Sequence, residues 1–405
     1  MGQHYAPEEI SGAILATELA TELAERGHEV TVVTCAPNYP EGRVFKGHCN
    51  RLYHSEILSG VRVIRVWSYI STNKRFWHRI LNYATFSGTA FFGALASGKH
   101  DVILSDSTPL SLGISALLVS RLRNVPWVLR VEDLFPDAAI ALGWLRNRLA
   151  IRFFYAVEKL QYHYASTISL ISDSFRRRLV SKRVPEHKMV VFPVWADPSE
   201  IRPMPKENAF RSENGFAGNF IVMYSGNLGY TSCMEDLITA AEHLVGYPNI
   251  RFIVVGEGVK KLALREHVLH KNLTNVKFLP YQRREDFPEM LSAADVHFVS
   301  LNQDMSETSL PCKTFSAMAS GRPILAVAPE ESDLAHLILD AGCGVVINPG
   351  SPVVLSQAIL RLYGNEKWRE EMGCNGRKKM EADFSRHKII GLYEITLEKV
   401  CHSAR

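Results

Sequence analysis

Two successive doubly wound α/β halves, each a parallel sheet wrapped by helices, are what this sequence predicts, and three observations predict them. Short apolar strands alternate with amphipathic helices along most of the chain, the pattern of parallel βαβ units. That alternation breaks once, at residues 193–216, where four prolines and polar residues replace the periodicity and read as an interdomain linker. The 405 residues also suffice for two domains of about 200 residues, each burying its own core.

The first half opens with a helix over residues 8–27, carrying Ile10, Ile14, Leu15, Leu19 and Leu23 at helical spacing and stopped by Arg26 and Gly27. A strand follows at 29–35. A parallel α/β domain usually has a strand before its first helix, so this N-terminal domain reads as missing its first strand. Short strands at 55–58 and 61–67 lead into residues 74–99. Within them, 80–98 holds no charge and is aromatic-rich, and Lys74, Arg75, His78 and Arg79 precede it. Asn82, Thr85, Ser87 and Thr89 dilute this stretch too heavily for a bilayer span. A helix docked on the domain or lying on a membrane surface is expected instead. Strand 101–105, helix 110–123, strand 127–131, helix 146–164, strand 167–172, helix 174–183 and strand 189–192 complete the half. Glu132 and Asp133 stand just past strand 127–131, at the carboxyl ends where open parallel sheets bind ligands.

The second half repeats the scheme with strands at 220–225, 251–255, 276–279, 296–300, 323–328 and 344–347. Helices are expected at 234–244, 259–271, 284–293 and 352–363, with helical segments to 400. Two of its loops are glycine turns, 226–229 and 256–258. The second falls short of a dinucleotide fingerprint because position 261 is Lys. The first suits a phosphate better, since glycine lets backbone N–H groups approach an anion closely. Residues 306–324 form a loop feeding a helix from Thr314, with Lys313 at its start. A helix start and an ammonium together suit a phosphate, and the same residues also suit a surface corner with a solvated lysine.

Composition excludes several classes. A hydrophobic content of 46% and a charged content of 22% are those of a globular protein. A net charge of +4 is too slight for a nucleic-acid partner. The seven cysteines are scattered, without ligand-like spacing, which argues against a structural zinc site and suits reduced thiols in a cytoplasmic protein. No basic-then-apolar leader opens the sequence.

Taken together, GAILATELATELAERGHEVTVVT, APNYPEG, VEDLFP, VFPVWAD, YSGNLG, VVGEG, FLPY, LPCKTFSAMASGRPIL and AGCGVVINP resemble, in order and over nearly the whole chain, the family 4 type of retaining glycosyltransferase. The resemblance is to the bacterial exopolysaccharide and O-antigen branch. It implies the GT-B fold, with residues 1–200 binding acceptor, 201–385 binding the nucleotide-sugar donor, and 386–405 forming a helix that crosses back to the first domain. Its partners would be a nucleotide sugar and a saccharide or lipid-linked saccharide acceptor. No Asp-x-Asp pair occurs to hold a divalent cation, so with Lys313 at the diphosphate an enzyme without metal or other cofactor is expected. Basic residues interleaved with Phe, Trp and Leu over 74–98, 146–152 and 176–183 suit an anionic membrane surface, and so a cytoplasmic enzyme peripheral on the inner face of the plasma membrane.

Carried over residue by residue, Gly12 lies in the turn that meets the transferred sugar or phosphate. Gly226 and Asn227 face the diphosphate and Lys313 contacts it, while Glu257, Pro280 and Tyr281 border the nucleoside pocket. Asp133 matches the family's cleft aspartate, and Ser309 and Leu310 lie in the donor loop. Several positions depart from the family pattern. Ser11-Gly12 replaces paired glycines, and Glu132 replaces a histidine. Glu307 is one position off for the first of two spaced glutamates, and Ser316 stands where the ribose-binding second belongs. Tyr230, Thr231 and Ser232 replace a basic pair. These departures keep two alternatives open: a non-catalytic sugar-nucleotide-binding protein, and an epimerase on the same fold.

Overall fold

A computed structural model describes the chain apart from Lys74, Glu307, Thr308 and Arg405, with the side chains of Phe76 and Ala404 also left undescribed. The chain divides into two compact units, Met1–Pro193 with His387–Arg405, and Val194–Arg386. The strands of the first unit are β1 (Thr31–Cys35), β2 (Tyr53–Leu58), β3 (Val61–Val66), β4 (Ile103–Asp106), β5 (Trp127–Val131), β6 (Thr167–Leu170) and β7 (Met189–Val191). They form the orders β1-β3-β2 and β4-β5-β6-β7, parallel except for the β2–β3 hairpin.

Among the described residues no strand precedes the first helix, Ser11–Glu25. Residues 1–3 lie in its place, between the two sheets. The Gly2 N–H donates to the Val33 carbonyl at 3.2 Å, and the Asp106 N–H donates to the Met1 carbonyl at 3.1 Å. The Thr34 hydroxyl donates to the Gln3 carbonyl at 2.8 Å. The helix starts later than its apolar spacing predicts because Glu8 is engaged elsewhere: its buried carboxylate accepts the N–H groups of Asn38 and Tyr39 at 2.7 and 2.8 Å. The helix Arg148–Tyr164 likewise starts at a cap, where the Asn147 side chain accepts from the Leu149 and Ala150 amides.

The second unit holds β8 (Phe220–Ser225), β9 (Ile250–Val255), β10 (Val276–Leu279), β11 (Val296–Ser300), β12 (Ile324–Val327) and β13 (Gly344–Ile347). Their order is β10-β9-β8-β11-β12-β13, all parallel. The strands are almost wholly apolar, with Val222, Phe252, Phe298 and Leu325 buried under the flanking helices, as a sheet covered on both faces requires. Each unit is built on a parallel sheet wrapped by helices, as the alternation predicts, and two such units make the GT-B architecture that the resemblance implies.

The proline-rich stretch after residue 193 is more than a linker. It contains a helix, Ala209–Asn214, whose first turn is capped by the Asn208 side chain. Arg211 on that helix is 1% exposed and meets Asp295 at 2.6 Å. Its Nε donates to the Ala293 carbonyl at 2.9 Å, and Asp295 also accepts the Ile221 N–H at 2.9 Å and meets the Lys206 ammonium at 3.4 Å. Proline composition hides this helix, because the partner that anchors it lies far along the chain. Removing one member of such a buried pair leaves the other charge uncompensated, a loss of about 3–5 kcal/mol. Asp295→Ala is therefore expected to lower the unfolding free energy of the second unit by that order, read from urea titrations followed by intrinsic fluorescence.

Candidate active site

The two glycine turns of the second unit sit side by side at the carboxyl ends of β8 and β9. The Gly226 N–H donates to the Val255 carbonyl at 2.9 Å, the Leu228 N–H to the Glu257 carbonyl at 2.8 Å, and the Lys260 N–H to the Leu228 carbonyl at 3.1 Å. Gly256 and Gly258 have φ of +149° and +154°. A Cβ on Gly256 would lie 1.9 Å from the Gly226 carbonyl oxygen, and one on Gly258 would lie 2.5 Å from that of Leu228. Only glycine allows both the dihedral and the approach. The glycines of 256–258 thus serve as a backbone buttress for the turn 226–229. Within that turn the Tyr224 hydroxyl donates to the Asn227 carbonyl at 2.6 Å, and no acceptor pairs with the N–H groups of Asn227 and Gly229 among the described residues.

Lys313 completes this cluster. Its Nζ lies 3.7 Å from the centroid of the Tyr224 ring, and a Cβ on Gly226 would lie 3.0 Å from it. No carboxylate pairs with it among the described residues. Burial of the ammonium pushes its pKa from 10.5 down to about 7.

The helix behind it runs Lys313–Ala319, one residue earlier than its sequence predicts. The start of this helix offers less than expected, for a local reason. The Thr314 and Phe315 amides already donate to the carbonyls of Pro311 and Cys312, at 3.0 and 3.1 Å. Positive charge at this corner therefore comes from Lys313, and the free amides come from the glycine turn.

The other donor-side residues are distributed around this core. Tyr281 follows β10, whose Leu279 carbonyl accepts the Gly256 N–H at 3.1 Å, and its ring is 48% exposed. The Glu257 carboxylate is held by Lys261 at 2.5 Å. Leu310 is buried and Ser309 half-buried, while Ser316 is half-buried one helical turn beyond Lys313. Glu307 lies outside the described residues. Tyr224 was not singled out from the sequence, although an aromatic two residues before a strand-ending glycine turn is the signal that marks it.

In the first unit Glu132 stands beside Gly12: a Cβ on Gly12 would lie 3.9 Å from its Oε2. Behind it is Arg130, 3% exposed, whose Nε and Nη2 both reach Asp106 Oδ1 at 2.8 Å. The Arg130 Nε is 3.5 Å from Glu132 Oε1. Burial pushes the Glu132 carboxyl from 4.5 up to about 7; Arg130 opposes the rise, and Asp106 and Asp133 add to it. Asp133 is exposed and has no side-chain partner among the described residues. It does not cap the next helix, Asp137–Ala141, whose start has no side-chain cap. Sequence reasoning missed Arg130 and Asp106. The guanidinium in the otherwise apolar strand WVLRV was the legible sign, since a fully buried arginine needs a fixed carboxylate partner.

Residues 13–195 match the model of the glycosyl transferase 4-like domain, and residues 205–379 match that of the glycosyl transferases group 1. The chain belongs to the family 4-like glycosyltransferases that join these two domains, and it is an enzyme of that class. Among its relatives is the putative colanic acid biosynthesis glycosyl transferase WcaI of Escherichia coli, 27% identical over 88% of this chain and 90% of that one. Among solved structures, sucrose-phosphate synthase from Thermosynechococcus elongatus superposes with a TM-score of 0.77 at 20% identity, covering 100% of this chain and 96% of that one. Anabaena HepE in complex with UDP and glucose superposes with a TM-score of 0.72 at 15% identity, over 98% of each chain.

A carboxyl whose folded-state pKa is raised contributes stability that is complete below its unfolded value and is lost as pH climbs to the folded value. For Glu132 that window runs from about pH 4.5 to about 7. Across it, the stability of the wild type relative to Glu132→Gln is expected to fall as pH rises. A stability difference that is flat with pH in paired thermal-melt series would show that Glu132 ionises normally.

Proposed function

We propose that this enzyme transfers a sugar, with retention of anomeric configuration, from a nucleoside diphosphate sugar to a lipid-linked saccharide acceptor in cell-surface polysaccharide assembly. In this reading the second unit binds the donor and the first binds the acceptor, in the cytoplasm and next to a membrane. The observation that carries it is the Lys313 ammonium, packed on Tyr224 and against Gly226 with no carboxylate among the described residues. Lowering a lysine to about 7 opposes its charged form by several kcal/mol. The face of an aromatic ring returns only about 2 kcal/mol. An anionic ligand makes up the difference, and the unpaired amides of Asn227 and Gly229 supply further donors for its oxygens.

The reaction follows from this placement. The bond between the sugar's anomeric carbon and the diphosphate oxygen breaks, and a bond from the acceptor hydroxyl oxygen to that carbon forms on the same face. The acceptor's proton passes to the departing phosphate oxygen, so no separate base is required. Lys313 and the two amides hold the charge that develops on the diphosphate, the role a preorganised cationic site performs best. In the first unit, Asp133 follows β5 with no side-chain partner among the described residues, open to an acceptor hydroxyl. Glu132, beside Gly12 and about half protonated near pH 7, exchanges a hydrogen bond with the same acceptor. That HepE was solved with UDP and glucose, and that WcaI is named for colanic acid biosynthesis, supports the donor class and the polysaccharide setting.

We further propose that no metal ion takes part, since Lys313 occupies the electrostatic role a divalent cation fills elsewhere. Nucleoside diphosphate release, measured with UDP-, GDP- and dTDP-sugars with and without membrane lipid, identifies the donor. With that donor, Lys313→Ala is expected to lower kcat by about a hundredfold or more, and EDTA to leave the wild type unaffected. Activity that EDTA abolishes and Mg²⁺ restores, or an Lys313→Ala enzyme working at the normal rate, would contradict this placing of the diphosphate.

A further inference from the structure

Three adjacent helices of the first unit, Phe76–Ala96, Leu110–Arg123 and Arg148–Tyr164, form one outer face. They are tied side to side. The Ser115 hydroxyl donates to the Ser87 carbonyl at 2.8 Å, and the Gln161 amide donates to the Leu110 carbonyl at 2.7 Å.

The solvent side of the first helix is inverted from what a surface helix normally shows. After Arg79, its exposed positions are Ile80, Leu81, Ala84, Gly88, Phe92 and Ala96, with no charge among them. Trp77 and Phe92 are 74% and 69% exposed. On the third helix the exposed apolar residues Leu149, Phe153 and Leu160 are interleaved with the exposed cations Arg148, Arg152 and Lys159. The middle helix presents Leu118 and Leu122 beside Arg121, whose guanidinium covers the Tyr164 ring at 4.6 Å.

The exposed positions of these three helices carry no acidic side chain among the described residues. The first two helices contain no Asp or Glu. The third contains one, Glu158, which is 3% exposed and turned inward onto Lys182. Of the basic residues over 176–183, by contrast, Arg178 and Lys182 are engaged with Asp137 inside the unit.

We infer that this face docks on an anionic lipid bilayer, with the apolar stripe entering the interface and the arginines and lysines meeting the headgroups. Exposed aromatic and aliphatic side chains flanked by cations are what such an interface takes up. A second copy of the chain is disfavoured, because face-to-face packing would set two like-charged rows against each other. No helix among the described residues is long and apolar enough to cross a membrane, so the contact is with the surface. This inference extends the proposed lipid-linked acceptor by naming the surface that brings the enzyme to it.

The full chain, sedimented with phosphatidylcholine vesicles with and without phosphatidylglycerol, tests it. Binding is expected to be at least about tenfold tighter with the anionic lipid and to weaken as salt rises. The double variants Phe92→Asp/Phe153→Asp and Arg148→Glu/Arg152→Glu are each expected to lose about tenfold or more while keeping the wild-type circular dichroism. Transfer to a water-soluble acceptor by these variants is expected to remain, so a failed docking surface and a failed transferase reading give different results. The inference is overturned if the wild type stays in the supernatant at low salt. It is also overturned if both variants bind anionic vesicles normally, or if the free protein is a dimer that Phe92→Asp/Phe153→Asp splits.

Discussion

At the carboxyl end of the second sheet two turns meet backbone to backbone, and the donor-side geometry depends on that contact. Gly256 and Gly258 have no Cβ, and the carbonyls of Gly226 and Leu228 occupy the space one would fill. A side chain at either position would push the turn 226–229 off its seat. With it would go the orientation of the Asn227 and Gly229 amides and the wall against which the Lys313 ammonium rests. The Tyr224 ring, fixed by its own hydroxyl bond to Asn227, supplies the other wall. A half-buried cation is thus held by walls that, among the described residues, carry no full negative charge, and this makes the corner receptive to an anion.

The first unit solves a different electrostatic problem. Arg130 is buried in the middle of a sheet and is satisfied by Asp106, so its charge is largely spent before it reaches Glu132. Glu132 is then left next to a compensated guanidinium in a poorly solvated position, and its carboxyl stays protonated to higher pH than usual. Burial raises the carboxyl of Asp133, the next residue, above its usual range as well. One strand end therefore presents two adjacent carboxyl groups that burial holds protonated to higher pH than usual.

Much of this was legible in the sequence, and what was not had a common physical cause. The glycine turns, Lys313 and the carboxylates after β5 were found because loops at the carboxyl ends of parallel strands carry their chemistry in short contiguous patterns. The partners that give those residues their character lie far away in sequence. Arg130 finds Asp106 across a strand pairing, Arg211 finds Asp295 across the second unit, and Glu8 ties down the loop after β1. The glycines of 256–258 were visible as a motif, but their purpose was not, because it depends on another turn pressing against them. The amides of Thr314 and Phe315 looked available from the helix start, and a local tight turn had already taken them. The uncharged stretch after Arg79 was plain to read, whereas the direction its apolar stripe faces required the packing of the helices beside it.

The central claim is that Lys313 is a desolvated cation waiting for a diphosphate, and proton uptake on binding tests it most directly. At about pH 8 a lysine with a pKa near 7 is mostly neutral, and a bound diphosphate raises that pKa and draws a proton onto it. Calorimetric titration with a nucleoside diphosphate, repeated in buffers of different ionisation enthalpy, counts that proton. The account predicts uptake approaching one proton for the wild type and none for Lys313→Met. Equal proton exchange in the two proteins, or none in either, would contradict it.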